Sequence, residues 1–145
     1  MTLRALDHVT IRTADLAGMT AFYTETLGLE PGPRPPVRVA GAWLYCGGRP
    51  VVHLVEVAEA PRGARLGEAF GGAREGPRIE HFAFRAQGLA EFLGHLRARD
   101  IAHRFAVVPG LELRQVHISD PDGNHVEIAF GPEEALPPEP FAPAA

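Results

Sequence analysis

The chain of 145 residues reads as an α+β protein made of two repeated βαβββ modules, and three observations support this. The first is self-similarity. Leu6-Asp7-His8-Val9-Thr10-Ile11-Arg12 returns as Ile79-Glu80-His81-Phe82-Ala83-Phe84-Arg85, at an offset of 81 − 8 = 73. A period of half the chain, present twice, marks two copies of one supersecondary unit, whereas many short periods would mark a solenoid. The second is that each half runs from a period-two stretch, through apolar residues at three- and four-residue steps, to short strand-like segments. The third is a composition that is 46% hydrophobic, which supports a core without disulfide or metal staples.

In the first module, residues 1–57, Val9 and Ile11 fall on one side of a strand and His8, Thr10 and Arg12 on the other. Asp15 stands at a helix N-cap; Leu16, Met19, Phe22, Tyr23 and Leu27 form the apolar stripe, and Gly28 closes the helix. A proline-rich connection, Pro31 to Pro36, leads to strands expected over Val37–Ala40, Ala42–Cys46 and Pro50–Val57, parted at Gly41 and at Gly47-Gly48. Residues 58–78, rich in Gly, Ala, Arg and Pro, read as a linker. In the second module, residues 79–131, a strand over 79–85 precedes a helix over Leu89–Arg99 with Leu89, Phe92, Leu93 and Leu96 inward. Strands follow over His103–Val107, Leu113–Ser119 and Asn124–Phe130, the last delivered by the tight turn Asp120-Pro121-Asp122-Gly123. The two modules and linker are expected to form one domain, residues 1–131, with 132–145 a Pro-rich tail that lacks a core pattern and is disordered or an arm.

Composition narrows the function classes. A net charge of −4 without blocks of like charge gives no footprint for nucleic acid or for an anionic membrane. The single cysteine, Cys46, excludes an internal disulfide and a Cys-rich zinc cage, and its apolar strand predicts a buried, inert thiol. All 14 basic residues are arginine, so Schiff-base lysine chemistry and the P-loop lysine are excluded. No apolar run approaches the roughly 20 residues of a membrane span, and the N-terminus has no signal-peptide core, so the expected location is cytoplasmic.

Strand parity then selects site residues. Apolar alternates cover the helices, so the opposite alternates share the other face: His8, His81, His125 and Glu127, with His117. His53 lies in a strand that is apolar on both faces, but the repeat, after a one-residue slip (127 − 53 = 74), places it where Glu127 sits. Two histidines and a carboxylate are the donor set of a divalent metal with open positions. Arg12 and Arg85 form an equivalent pair suited to a substrate carboxylate. Arg38, Trp43, Tyr45, Arg114 and Gln115 are candidates for a pocket wall, and His95 and His103 read as solvent-facing.

The motifs Leu6-Asp7-His8-Val9, Ala21-Phe22-Tyr23 followed by Leu27-Gly28-Leu29, Ile79-Glu80-His81-Phe82 and Asp120-Pro121-Asp122-Gly123-Asn124-His125-Val126-Glu127 resemble the vicinal oxygen chelate superfamily. It includes glyoxalase I, fosfomycin- and bleomycin-resistance proteins, methylmalonyl-CoA epimerase and extradiol dioxygenases. The resemblance implies paired βαβββ modules forming a curved mixed sheet around a central metal cavity. It implies metal ligands at His8, His53, His81 and Glu127, with Glu127 moving protons; in glyoxalase-like members the position of His53 is usually a glutamate. The implied cofactor is a divalent ion, zinc, nickel, manganese, iron or cobalt. The implied activity is that of a glyoxalase-like lyase or isomerase acting on a small substrate with vicinal oxygens through a metal-stabilised enediolate. An iron(II) extradiol-type dioxygenase and a metal-free drug-binding resistance protein are the alternatives. The expected partners are a small-molecule substrate and a second copy of the chain in a homodimer.

Overall fold

The computed structural model describes residues 1, 5–36, 38–58, 81–108 and 112–137. Most of the expected linker, the start of the second strand motif at 79 and 80, and residues 138–145 of the tail lie outside these. In chain order the elements are β1 (Val9–Thr13), α1 (Leu16–Ala21) running into a π-helical turn (Phe22–Thr26), β2 (Glu30–Gly32), β3 (Gly41–Cys46) and β4 (Arg49–Glu56). They continue with β5 (Phe82–Ala86), α2 (Leu89–Ala98), β6 (His103–Val108), β7 (Leu113–Ser119) and β8 (His125–Phe130). This is βαβββ twice, an α+β fold. The chain divides into two compact units, Met1–Gly63 and Ala64–Ala145. Each holds one four-stranded mixed sheet, ordered β1-β4-β3-β2 in the first and β5-β8-β7-β6 in the second.

In the first unit β1 runs parallel to β4, and β4, β3 and β2 are successive antiparallel neighbours. Ile11, Leu44, Val52 and Leu54 are buried with Met19 and Tyr23 of the helix. Asp15 caps α1 as its type predicts, its carboxylate accepting from Gly18 N at 2.9 Å. The hydroxyls of Thr20 and Thr24 bond back to the carbonyls of Leu16 and Thr20, which competes with the backbone ladder where the helix widens into its π turn. The strand expected at 37–40 is not formed by its described part, where residues 38 and 39 bend. The edge strand is instead Glu30–Gly32, with Pro31 opposite Leu44. A proline supplies no N–H to a ladder and is tolerated at an edge. Cys46 is exposed, not buried, because it ends β3 at the hairpin whose Gly47 and Gly48 take φ of +55° and +77°.

The second unit repeats the topology, with β5 parallel to β8 and β8, β7 and β6 antiparallel neighbours. The registers carry the repeat. Thr10 pairs with His53 as Ala83 pairs with Glu127, so the offsets are 83 − 10 = 73 and 127 − 53 = 74. Trp43 faces His53 as His117 faces Glu127, at 117 − 43 = 74. Val116, Ile118, Val126, Ile128 and Phe130 are buried with Leu89, Leu93 and Leu96 of α2. α2 begins on Gly88, which has no side chain to cap it; the Glu134 carboxylate accepts from Gly88 N at 2.7 Å and Leu89 N at 3.3 Å instead. The described start of the tail is therefore docked on this unit, where the sequence predicts disorder or a free arm. Arg114 donates to the carbonyls of Glu134 and Glu112, so its guanidinium holds backbone.

Candidate functional site

The turn before β8 aims the site. Asp120 is fully buried, and its carboxylate accepts from Asp122 N, Asn124 N and Asn124 Nδ2 at 3.1, 2.8 and 2.9 Å. Gly123, at φ +80°, donates to Asp120 O at 2.9 Å and closes the turn. Alternation along β8 then puts His125 and Glu127 on the face away from Val126, Ile128 and Phe130. Cross-strand pairing adds His117 and Gln115 from β7 on that same face.

Five side chains meet there. His81 Nε2 stands 3.4 Å from Glu127 Oε2. The Gln115 amide donates to the other carboxylate oxygen, Oε1, at 2.7 Å; a carboxylate only accepts, so Gln115 turns its NH2 to it. Glu127 is buried, and its second oxygen is directed toward His81. His117 Nδ1 and His125 Nε2 are 2.8 Å apart, both buried, and the His125 ring centroid is 5.1 Å from that of His81. The fit to a metal can be tested on the first pair. Two ligands on one tetrahedral ion with bonds of about 2.1 Å stand about 3.4 Å apart, which is the edge His81 and Glu127 present.

The corresponding face of the first unit is built differently. His53 is sandwiched: its ring lies 4.0 Å from Trp43 at 6° and 3.9 Å from His8 at 17°. Burial, and the nearby charge of His8, push the His53 pKa below the ordinary imidazole value. Its Nε2 is buried without a hydrogen-bond partner among the described residues. His8 donates Nδ1–H to Asp7 Oδ2 at 2.8 Å, which holds the Asp7 carboxyl below its usual value and leaves the His8 Nε2 lone pair outward of that bond. Imidazole lone pairs lie in the ring plane. Two nearly parallel rings 3.9 Å apart do not direct theirs to one point about 2 Å from each, so in this orientation His8 and His53 are a stack and not a chelate. Among the described residues no group of three or more His, Cys, Asp or Glu side chains surrounds a metal position.

A family model described as the Glyoxalase/Bleomycin resistance protein/Dioxygenase superfamily matches residues 5–128. The chain belongs to this superfamily. Among solved structures, a glyoxalase family protein from Bacillus anthracis is 23% identical with a TM-score of 0.69, covering 90% of this chain and 98% of its own. Lactoylglutathione lyase from Agrobacterium tumefaciens is 25% identical with a TM-score of 0.64, over 94% and 100%. TnmS3, an antibiotic binding protein from Streptomyces sp. CB03234, is 19% identical with a TM-score of 0.61, over 90% and 98%. No curated protein sequence matches. The superfamily thus joins enzymes and binding proteins on one fold, and the choice between them rests on side chains. No helix among the described residues is long and apolar enough to cross a membrane.

The sequence names His81 and Glu127 together, and the structure brings them together. It also brings His8 to His53, but as rings in contact. The part of Gln115 is carried by the β7–β8 register, which places it opposite Ala129 and diagonal to Glu127. Sequence alone offers it only as one of several wall candidates, because alternation along its own strand does not reveal which residue lies across from it.

Proposed function

We propose that the protein is a divalent-metal-dependent lyase or isomerase of glyoxalase-like type, acting on a small substrate with two neighbouring oxygens. The observation that carries this reading is the His81–Glu127 edge of 3.4 Å, whose carboxylate is oriented by Gln115. A metal bound there supplies Lewis acidity to the substrate oxygens. His81 and Glu127 are the proposed ligands in the second module, and His8 and His53 the positions the sequence assigns in the first. Glu127 is the proposed proton-moving group: it is buried, one carboxylate oxygen is held by Gln115, and the other faces His81. Gln115 fixes which oxygen that is. The His117–His125 pair lies on the same face, with the His125 ring 5.1 Å from that of His81.

The test is metal titration of protein purified without a chelating tag. We expect about one divalent ion per chain, and a loss of affinity of at least about tenfold in His81→Ala and in Glu127→Ala. Unchanged affinity in both removes the metal reading. A second reading, a metal-free small-molecule binder, is favoured by the Trp43–His53–His8 stack, which engages imidazole faces in ring contact. It is supported by likeness of fold to an antibiotic binding protein. Retention of a planar drug-like ligand by protein that takes up no metal would select it.

A further inference from the structure

The face of the second sheet that carries Glu127 also carries two arginines, the exposed Arg85 opposite Ala129 and the half-buried Arg104. Arg104 in β6 is the register partner of His117, and His117 is the register partner of Glu127, so the three form one row across β6, β7 and β8. Directly paired residues project to the same side of a sheet. Arg104 and Glu127 are thus two strand spacings apart, about 10 Å between Cα atoms. Next along β6 on this face is Ala106, whose side chain is a single methyl group, opposite Gln115.

Three other arginines near the two sheets are engaged. Arg114 is bound to the Glu134 and Glu112 carbonyls, Arg49 to Asp7 and Arg34 to the Val39 carbonyl. Arg104 differs: its Nε is buried, and among the described residues that nitrogen has no acceptor. A guanidinium cannot shed its charge, and a buried donor without a partner is costly. The acid on this face, Glu127, is taken by His81 and Gln115. The acceptor that Arg104 lacks is therefore one a ligand would bring.

We propose that Arg104 is the anion-binding residue of the site, and that the substrate is a compact acid carrying a carboxylate or phosphate a few bonds from its vicinal oxygens. Guanidinium fits both groups in a two-bond fork, so the chemistry is shared and the probe must separate them. Arg104 binds and orients; it takes no part in proton movement. The proposal rests on the reading of Glu127 as the substrate-facing carboxylate, but its test does not require metal.

Glycerol, glycerate and glycerol 3-phosphate offer the same vicinal diol with no anion, a carboxylate and a phosphate. Their dissociation constants are measured by NMR titration of the metal-free full chain and of the metal-loaded chain, following the amides of β6 to β8. The expected result is that one of the two anions binds at least about tenfold more tightly than glycerol. Arg104→Met, which keeps the apolar stem, should abolish that preference while leaving glycerol binding, metal affinity and the thermal melt unchanged; Arg104→Lys should restore part of it. The anion with the larger preference identifies the group. Equal binding of all three probes overturns the proposal, as does a preference that survives in Arg104→Met, or one that plain acetate or inorganic phosphate competes away as strongly as the diol acids. If His81→Ala and Glu127→Ala leave metal affinity unchanged while the Arg104-dependent preference stands in metal-free protein, the metal reading fails and the anion site remains.

Discussion

His53 is the residue at which two accounts of this protein part. Between Trp43 and His8 its ring makes two stacked contacts, each worth about 0.5–1.5 kcal/mol beyond buried area. Removing it in His53→Ala should cost about 2 kcal/mol or more by denaturant unfolding. His53→Phe keeps the stack and removes the orphaned Nε2, while giving up the hydrogen bond to the Pro50 backbone, so the change should stay within about 1 kcal/mol. A large loss of stability in both variants would show that the nitrogens, and not the ring, hold this position. Metal affinity measured on the phenylalanine variant reads the ligand question apart from stability: a tenfold fall would place His53 in the metal site by ring rotation. Repeat alignment makes the position of His53 legible in the sequence. Its environment is not, because ring stacking needs Trp43 directly opposite in register, and that pairing depends on a bulge between Leu44 and Tyr45.

At the scale of elements, α2 shows what sequence can and cannot reveal. Gly88 stands where a capping side chain belongs, and the deficit is visible in the sequence. Its remedy lies 46 residues later in Glu134, within a stretch whose composition suggests no structure. Glu134→Ala should destabilise the protein by about 1–2 kcal/mol, from two hydrogen bonds and a favourable charge at a helix N-terminus, with faster amide exchange confined to the first turn of α2. An unchanged exchange rate at Leu89 would mean the contact does not persist in solution. β2 teaches a similar lesson. Val37 to Ala40 has the better strand composition, yet the edge is taken by Glu30–Gly32, because edge pairing is chosen by what lies opposite β3 and not by local propensity.

For the whole molecule, the doubled motif foretells the doubled topology, and the offsets of 73 and 74 recur as paired registers in both sheets. Each sheet, taken by itself, ends on two edge strands, β1 and β2 in one and β5 and β6 in the other. Open edges favour self-pairing about a two-fold axis, and sedimentation is expected to give a dimer of the 15.6 kDa chain. A monomer that binds metal at full affinity would rule out a site shared between copies. The stacked rings of the first unit have a practical consequence as well. Trp43 is the single tryptophan in 145 residues, so all indole emission from this protein originates in contact with the His53 imidazole. A proton, an ion or a bound molecule that displaces or charges that ring will alter the quantum yield and wavelength of the emission. The chain thus carries a built-in optical reporter, readable without label or mutation.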